Sequence, residues 1–185
     1  MSNVHALILI DQQKGIDHPK LGVRNNPTAE TEISSLLSLW RQKSWPIFHV
    51  KHRSKQRESV FWPDQEGFEF KEAFLPLEGE TTIEKSVPCA FINNSLDDEL
   101  KKLGVNEIVL VGVATNNSVE STARTGGSLG YTVYVVDDAC FTFAKPDYFG
   151  LARSADEVHA MSLANLHGEY ATVTSREQLV EKVIA

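Results

Sequence analysis

The sequence of 185 residues contains only two cysteines, Cys89 and Cys140, and it lacks an excess of basic residues. Two cysteines make no disulfide framework, which fits a reducing compartment, and we expect a cytoplasmic protein. The net charge of −7 argues against a nucleic-acid partner or an anionic membrane surface. No apolar run reaches the roughly 18 residues of a transmembrane helix. The first residues show neither a basic region nor a cleavage site, so we expect no signal peptide.

The remaining composition is typical of one globular domain, with 42% hydrophobic and 23% charged residues, and we expect a single domain over residues 1–185. Short apolar runs alternate with segments of helical periodicity, which predicts an α/β fold with a mostly parallel sheet. Strands are predicted at residues 4–10, 46–51, 82–85, 108–111, 132–136 and 170–174. Helices are predicted to begin near Thr28, Ser95, Ser118, Ser154 and Ser175, mostly from capping signals.

The connection over residues 53–80 is unusually long for a compact domain and carries five aromatic side chains, at Phe61, Trp62, Phe68, Phe70 and Phe74. Long connections are commonly lids or binding loops. We expect its aromatic part, residues 61–74, to act as lid and subunit interface, although core packing would explain each aromatic residue equally well.

Residues 107–125 predict a buried strand, a polar loop and the start of a helix. Gly112 is expected to end the strand, and Asn117 with Glu120 forms a capping-box pattern. Ser118 would then lie at a helix N-terminus and at the carboxyl edge of the sheet, where ligands bind in open α/β folds. Asp11 and Lys85 end two other predicted strands, so an acid, a cation and a hydroxyl can meet at that edge.

Four motifs follow one another along the chain: Asp11-Gln12-Gln13, Lys85 followed by Ala90-Phe91, the segment GVATNNSVESTAR at 112–124, and HAMSLANLHGEYA at 159–171. In this order and spacing they resemble the isochorismatase-like hydrolase superfamily. The resemblance covers nearly the whole chain. It implies a three-layer α/β/α sandwich around a six-stranded sheet, a homo-oligomer (dimer or tetramer) and a small-molecule substrate.

The resemblance also implies a catalytic triad of aspartate, lysine and cysteine, in which Asp11 and Lys85 match and Ser118 occupies the cysteine position. It implies a cis peptide at Val113–Ala114, with the backbone N–H groups of Ala114 and Ser118 forming an oxyanion hole. We further expect a substrate pocket lined by Gln13, Phe61, Trp62 and Asn117.

The serine leaves three hypotheses open, because a hydroxyl is harder to ionise than a thiol. The first is an amidase in which Ser118 attacks a carbonyl. The second is vinyl-ether hydrolysis of isochorismatase type, with Asp11 as general acid. The third is a catalytically weak scaffold that binds a metabolite or a protein. Ser118 itself is a true nucleophile, a natural inactivating change or an engineered replacement of cysteine.

We expect no cofactor and no metal. His49 and His52 suggest a metal site, but positions three apart on a strand point to opposite faces. The Asp-x-His ligand pattern of the family's metal-binding amidases is also absent. Three cations, Arg53, Arg124 and Lys145, are candidates for pairing a substrate carboxylate, although solvated charges would explain them equally well.

Overall fold

The computed structural model describes residues 5–184, so Val4, predicted to begin the first strand, lies outside the described part of the chain. Six parallel strands form one sheet in the order β3-β2-β1-β4-β5-β8. Their bounds are β1 His5–Ile10, β2 Ile47–His52, β3 Thr81–Lys85, β4 Glu107–Val113, β5 Thr132–Phe141 and β8 Thr172–Thr174. A separate antiparallel hairpin pairs β6 Lys145–Pro146 with β7 Ala152–Arg153.

Five α-helices cover the two faces of the sheet, as the predicted three-layer architecture requires. They are α1 Ala29–Lys43, α2 Leu96–Lys102, α3 Glu120–Ser128, α4 Ala155–Leu166 and α5 Arg176–Leu179. Alternate residues of β1 point to opposite faces: Ala6, Ile8 and Ile10 pack with α2, α3 and α4, whereas Leu7 and Leu9 pack with α1 and α5. Among the described residues, no helix is long and apolar enough to cross a bilayer.

Some local signals act as predicted. The Ser154 side chain accepts the N–H of Glu157, whose carboxylate accepts the N–H of Ser154, which confirms this capping box at the start of α4. The stripe of α1, Ile33, Leu36, Leu37 and Trp40, is buried. The spacing of Leu96, Leu100 and Leu103 predicts one shared helix face, but α2 ends at Lys102 and Leu103 is 53% exposed.

Two boundaries differ from the prediction around the strand β4. Gly112 does not end it: the residue pairs with Ile10 on one side and with Cys140 on the other, at φ +120°. A Cβ on Gly112 would lie 2.2 Å from the carbonyl oxygen of Ile10, so only glycine permits this approach. The strand β5 also continues past residue 136, because a register shift lets residues 140 and 141 pair with β4.

The predicted cap at Asn117 is wrong. The chain forms a π-helical turn at Thr115–Val119 before α3 begins at Glu120, and the Asn117 side chain makes no capping bond. The Glu120 carboxylate does not bond back to Asn117 but receives hydrogen bonds from Arg124 and from Ser162 of α4. Longer-range contacts therefore replace the local cap.

The long connection over residues 53–80 is largely packed. Phe68, Phe70 and Phe74 are buried, and Phe61 and Trp62 are half-buried. Near its end, Glu80 accepts hydrogen bonds from Arg41 of α1 and contacts His49 of β2 at 2.7 Å. The segment is thus tied to the sheet, and three of its five aromatic side chains are buried.

Candidate active site

The site lies where the strand order reverses, between β1 and β4. Asp11 directly follows β1, Lys85 is the last residue of β3, and Ser118 lies in the π-helical turn after β4. Carboxyl ends of parallel strands form the ligand-binding edge at such a switch point. Asp11 adopts φ +55°, a region that aspartate tolerates better than most residues. The fold therefore brings the three predicted catalytic residues to one place.

Lys85 is the centre of this cluster. Its Nζ donates to Asp11 Oδ2 at 2.8 Å and to Ser118 Oγ at 3.2 Å. The Lys85 side chain is fully buried and that of Asp11 is nearly so. A third contact runs from Nζ to His52 Nδ1 at 3.4 Å. An ammonium group has three N–H donors, and the three contacts supply one acceptor for each. Hydrogen bonds therefore fix the position of the Lys85 ammonium.

Asp11 keeps one oxygen free of these contacts. Its Oδ1 is buried and has no hydrogen-bond partner among the described residues. A buried acceptor without a hydrogen bond costs about 1–3 kcal/mol of folding free energy, so such acceptors are rare in proteins. Asp11 also lines the cavity described below.

A cis peptide bond and backbone hydrogen bonds shape the loop that carries Ser118. The Val113–Ala114 peptide bond is cis, and the Ala114 carbonyl accepts the N–H groups of Asn117 and Val119. Ala114 and Ser118 both line the cavity, which puts the two residues of the predicted oxyanion hole side by side at its wall.

The helix α4 supports this loop through buried polar side chains. His159 Nδ1 lies 2.8 Å from Thr115 Oγ1, and Ser162 Oγ lies 3.0 Å from the Thr115 carbonyl and 2.7 Å from a Glu120 oxygen. Burial lowers the pKa of His159, which favours the neutral ring. The loop before Ser118 thus contacts α4 through neutral hydrogen-bonding groups and one carboxylate.

The cavity itself is small, about 220 Å³. Its polar groups are Asp11, Ser118, Asn117 and His52, and its other walls are apolar: Ile16, Leu21, Phe61, Pro88, Val113, Ala114 and Phe143. No arginine or lysine from residues 5–184 lines it. Asp11 and Ser118 therefore line a small cavity whose walls are mostly apolar and include few polar groups.

Two of the four predicted pocket residues, Phe61 and Asn117, line the cavity, and Gln13 and Trp62 do not. The Gln13 amide is fully buried in backbone contacts: it donates to the carbonyls of His52 and Phe68 and accepts the N–H of His52. Gln13 therefore joins the first strand to the long loop. Trp62 closes a turn with Ser59, which leaves its neighbour Phe61 at the cavity.

His52 is a site residue that sequence reasoning missed. It pairs with Lys85 in the register of β2 and β3, and its ring stands edge-on to Phe61 at 5.9 Å. Burial lowers the pKa of His52, and the Lys85 ammonium lowers it further, so the ring is neutral near pH 7. Since Nδ1 faces the ammonium, the geometry assigns the ring proton to Nε2. The sequence feature that could have identified His52 as a site residue is its position at the end of a strand.

The other histidine and the two cysteines considered as site residues do not line the cavity. His49 contacts Glu80 on the opposite face of the strand, and within residues 5–184 no group of three or more His, Cys, Asp or Glu side chains is arranged to hold a metal. Cys89 is buried and contacts Thr125 at 3.2 Å. Burial raises the pKa of the Cys140 thiol.

Known proteins resemble this chain over nearly all of its length. A family model for the isochorismatase domain matches residues 5–178. The uncharacterized isochorismatase family protein YrdC of Bacillus subtilis is 38% identical, with 100% of this chain and 98% of YrdC covered. Nicotinamidase 3 of Arabidopsis thaliana is 26% identical, with 96% and 88% covered. The crystal structure of an isochorismatase-family hydrolase from Chromobacterium violaceum has a TM-score of 0.93 and 45% identity, with 97% and 93% covered.

Proposed function

This chain belongs to the isochorismatase family and is a hydrolase, and we propose that it cleaves the C–N bond of a small amide. Asp11, Lys85 and Ser118 would form the catalytic group. The observation that carries the proposal is that Lys85 contacts both Asp11 and Ser118, and that these two residues line one cavity of about 220 Å³. The similarity to a nicotinamidase supports amide chemistry at this position.

In the proposed first step, Ser118 Oγ attacks the amide carbonyl while its proton passes to Asp11 Oδ1. The Lys85 ammonium, 3.2 Å from Oγ, stabilises the charge that develops on the hydroxyl oxygen. The carbonyl oxygen becomes negative and would be held by the N–H groups of Ala114 and Ser118. Asp11 then gives the proton to the leaving nitrogen, and an amine departs from an acyl-serine.

The second step returns the enzyme to its starting state. Water occupies the place of the amine, Asp11 takes one of its protons, and the hydroxide attacks the ester. The acid product leaves as Asp11 returns the proton to Ser118 Oγ. His52, neutral and held by Lys85, is a donor that can orient the substrate or this water.

The cavity favours an uncharged amide over a chorismate-derived vinyl ether. Such a vinyl ether carries carboxylates, and the three cations considered for them do not line the cavity. Arg53 pairs with Glu84, Arg124 pairs with Glu120, and Lys145 lies on a separate surface groove. A dicarboxylate would enter an apolar chamber without a matching cation, which is unfavourable.

The test measures turnover of a panel of small amides, esters and isochorismate by the wild type, Ser118→Ala and Asp11→Asn. Ser128→Ala, on the exposed end of α3, is the matched control. We expect amide turnover that both site variants lower at least about 100-fold and the control leaves unchanged. Loss of isochorismate turnover in Asp11→Asn alone would establish the vinyl-ether mechanism instead. Absence of turnover by the wild type on the whole panel would support a binding scaffold.

A further inference from the structure

The His52 ring lies beside the Lys85 ammonium because the two residues are in register on neighbouring strands. They are partners in the pairing of β2 with β3, and the N–H of Arg53 donates to the Lys85 carbonyl at 2.8 Å. On the β1 side, the Gln13 amide accepts the N–H of His52 at 2.7 Å and donates to its carbonyl at 3.1 Å. Hydrogen bonds on both sides of His52 therefore keep the imidazole next to the ammonium.

The contact between ring and ammonium requires a neutral ring. His52 Nδ1 lies 3.4 Å from Lys85 Nζ, and an ammonium group can only donate, so Nδ1 must supply a lone pair. A neutral imidazole has one nitrogen with a lone pair to accept a hydrogen bond, whereas both nitrogens of an imidazolium carry hydrogens. Protonation of His52 would thus place an N–H against an N–H and a second positive charge beside the first.

Two charged groups face the His52 ring, and they act on it in opposite directions. Burial lowers the pKa of His52 below its ordinary value of 6.5, and the Lys85 ammonium lowers it further, whereas the Asp11 carboxylate raises it. The Phe61 ring, edge-on at 5.9 Å, is uncharged, and the guanidinium of the adjacent Arg53 pairs with a carboxylate of β3 at 2.6 Å. A protonated His52 would therefore repel Lys85 and compete with it for Asp11.

We propose that His52 is a positioning residue for the proposed hydrolysis and that it makes the site sensitive to acid. With the ring neutral, Nδ1 holds the Lys85 ammonium where it also reaches Asp11 Oδ2 and Ser118 Oγ. With the ring protonated, the ammonium loses one of its three acceptors and meets a rival cation for the carboxylate, so the arrangement for attack is lost. This role rests on the proposed function, because His52 reaches the reaction through Lys85.

The first test observes the ring by proton–nitrogen NMR of the full chain, because the shifts of the ring nitrogens report both tautomer and titration. The His52 signals are identified by their loss in His52→Asn. We expect the ring hydrogen on Nε2 at about pH 8 and a titration midpoint below the ordinary value of 6.5. Lys85→Met removes a cation and should raise this midpoint, whereas Asp11→Asn removes an anion and should lower it. A hydrogen on Nδ1, or a midpoint that neither substitution moves, would overturn the proposal.

The second test measures kcat/KM for an amide from the panel above between about pH 4.5 and about pH 8. We expect the wild type to lose about tenfold per pH unit below the His52 midpoint, because a single proton inactivates the site. His52→Asn places an amide oxygen near the position of Nδ1, where it can accept from Lys85 but does not titrate, so its profile should lack this fall. His52→Leu has no acceptor, and its kcat at about pH 7.5 should be about tenfold below that of His52→Asn.

His167→Gln is the matched control, because His167 is exposed and does not line the cavity, and it should keep the wild-type profile. A fall of the same size and midpoint in His52→Asn would assign the proton to another group and overturn the proposal. Equal kcat in His52→Leu and His52→Asn would do the same. Absence of amide turnover by the wild type would overturn the proposed function and with it this role, whereas a failed NMR test with normal turnover would overturn the role of His52 alone.

Discussion

Replacing Ser118 by cysteine tests the site most directly, because it changes one atom of the proposed nucleophile. Ser118 lies just before the N-terminus of α3, and its Oγ contacts the Lys85 ammonium at 3.2 Å. Both features stabilise a negative sulfur and lower the pKa of a thiol. We therefore expect Ser118→Cys to hydrolyse amides faster than the wild type.

The expected size follows from the charges around position 118. An ammonium 3.2 Å from a thiolate contributes about 5 kcal/mol at an effective dielectric constant near 20, and the Asp11 carboxylate, 2.8 Å from the same nitrogen, offsets most of it. A remainder of about 1.4–2.8 kcal/mol would move the thiol pKa from about 8.5 to about 6.5–7.5. The thiolate fraction at pH 7 would be roughly 25–75%, against about 3% for an unperturbed cysteine, so much of the variant would carry an ionised nucleophile.

The assay follows iodoacetamide alkylation of Ser118→Cys by mass spectrometry between pH 5 and pH 10, alongside the pH dependence of kcat/KM. Only the thiolate reacts, so both should rise with pH through the same midpoint, near about 7. Cys89 and Cys140, both buried, are slow internal references. Adding Lys85→Gln should move the alkylation midpoint back to about 8.5 or higher.

Two results would refute this reasoning. An alkylation midpoint at or above about 8.5 in Ser118→Cys would mean that Lys85 does not act on position 118. Equal activity of Ser118→Cys, Ser118→Ala and the wild type would mean that position 118 is not a nucleophile, whatever its pKa.

Three further predictions concern the elements around the site. Gly112→Ala should lower the free energy of unfolding in urea by about 3 kcal/mol or more, because its Cβ would clash with the Ile10 carbonyl. Burial raises the pKa of Glu80, but hydrogen bonds to its carboxylate outweigh this and lower the pKa to about 2. The Glu80 carboxylate therefore stabilises the folded state above about pH 4.5, and this stabilisation is lost as the pH falls toward 2. Glu80→Gln should lower the free energy of chemical unfolding by about 2 kcal/mol at pH 7 and by little at pH 2. His159→Ala removes the contact to Thr115 and should lower kcat about tenfold with little change in KM, while rescue by His159→Gln would distinguish loss of the hydrogen bond from loss of packing.

The parts of the fold that could be predicted are those that depend on nearby residues. The Ser154 cap and the apolar stripe of α1 are properties of single segments, so their patterns were sufficient. The extension of β5 to Phe141 was not predictable from Asp137 and Asp138, because it depends on pairing with β4 across a register shift. The π-helical turn at Thr115–Val119 replaced a plausible cap for the same reason, since the Glu120 carboxylate is held by a distant helix.

The candidate site shows the same division. Asp11, Lys85 and Ser118 stand at predicted strand ends, and parallel topology brings such ends together. Gln13 was wrongly predicted to line the pocket, because its nearness to Asp11 in the sequence does not determine the direction of its side chain. His52 was missed although it too ends a strand and pairs in register with Lys85.

The hydrogen-bond pattern around Lys85 bears on which reaction the site can perform. A vinyl-ether hydrolase would use Asp11 as a proton donor, whereas Asp11 Oδ2 here accepts a hydrogen bond from the Lys85 ammonium at 2.8 Å. The amidase mechanism needs the opposite, a carboxylate with one oxygen anchored and the other free. Because Ser118 Oγ accepts from Lys85, its own hydrogen is free to point elsewhere, and the proposed acceptor is Asp11 Oδ1, which has no hydrogen-bond partner among the described residues. The same lysine would then orient the base and stabilise the nucleophile, which is why removing Lys85 should harm both steps of amide hydrolysis.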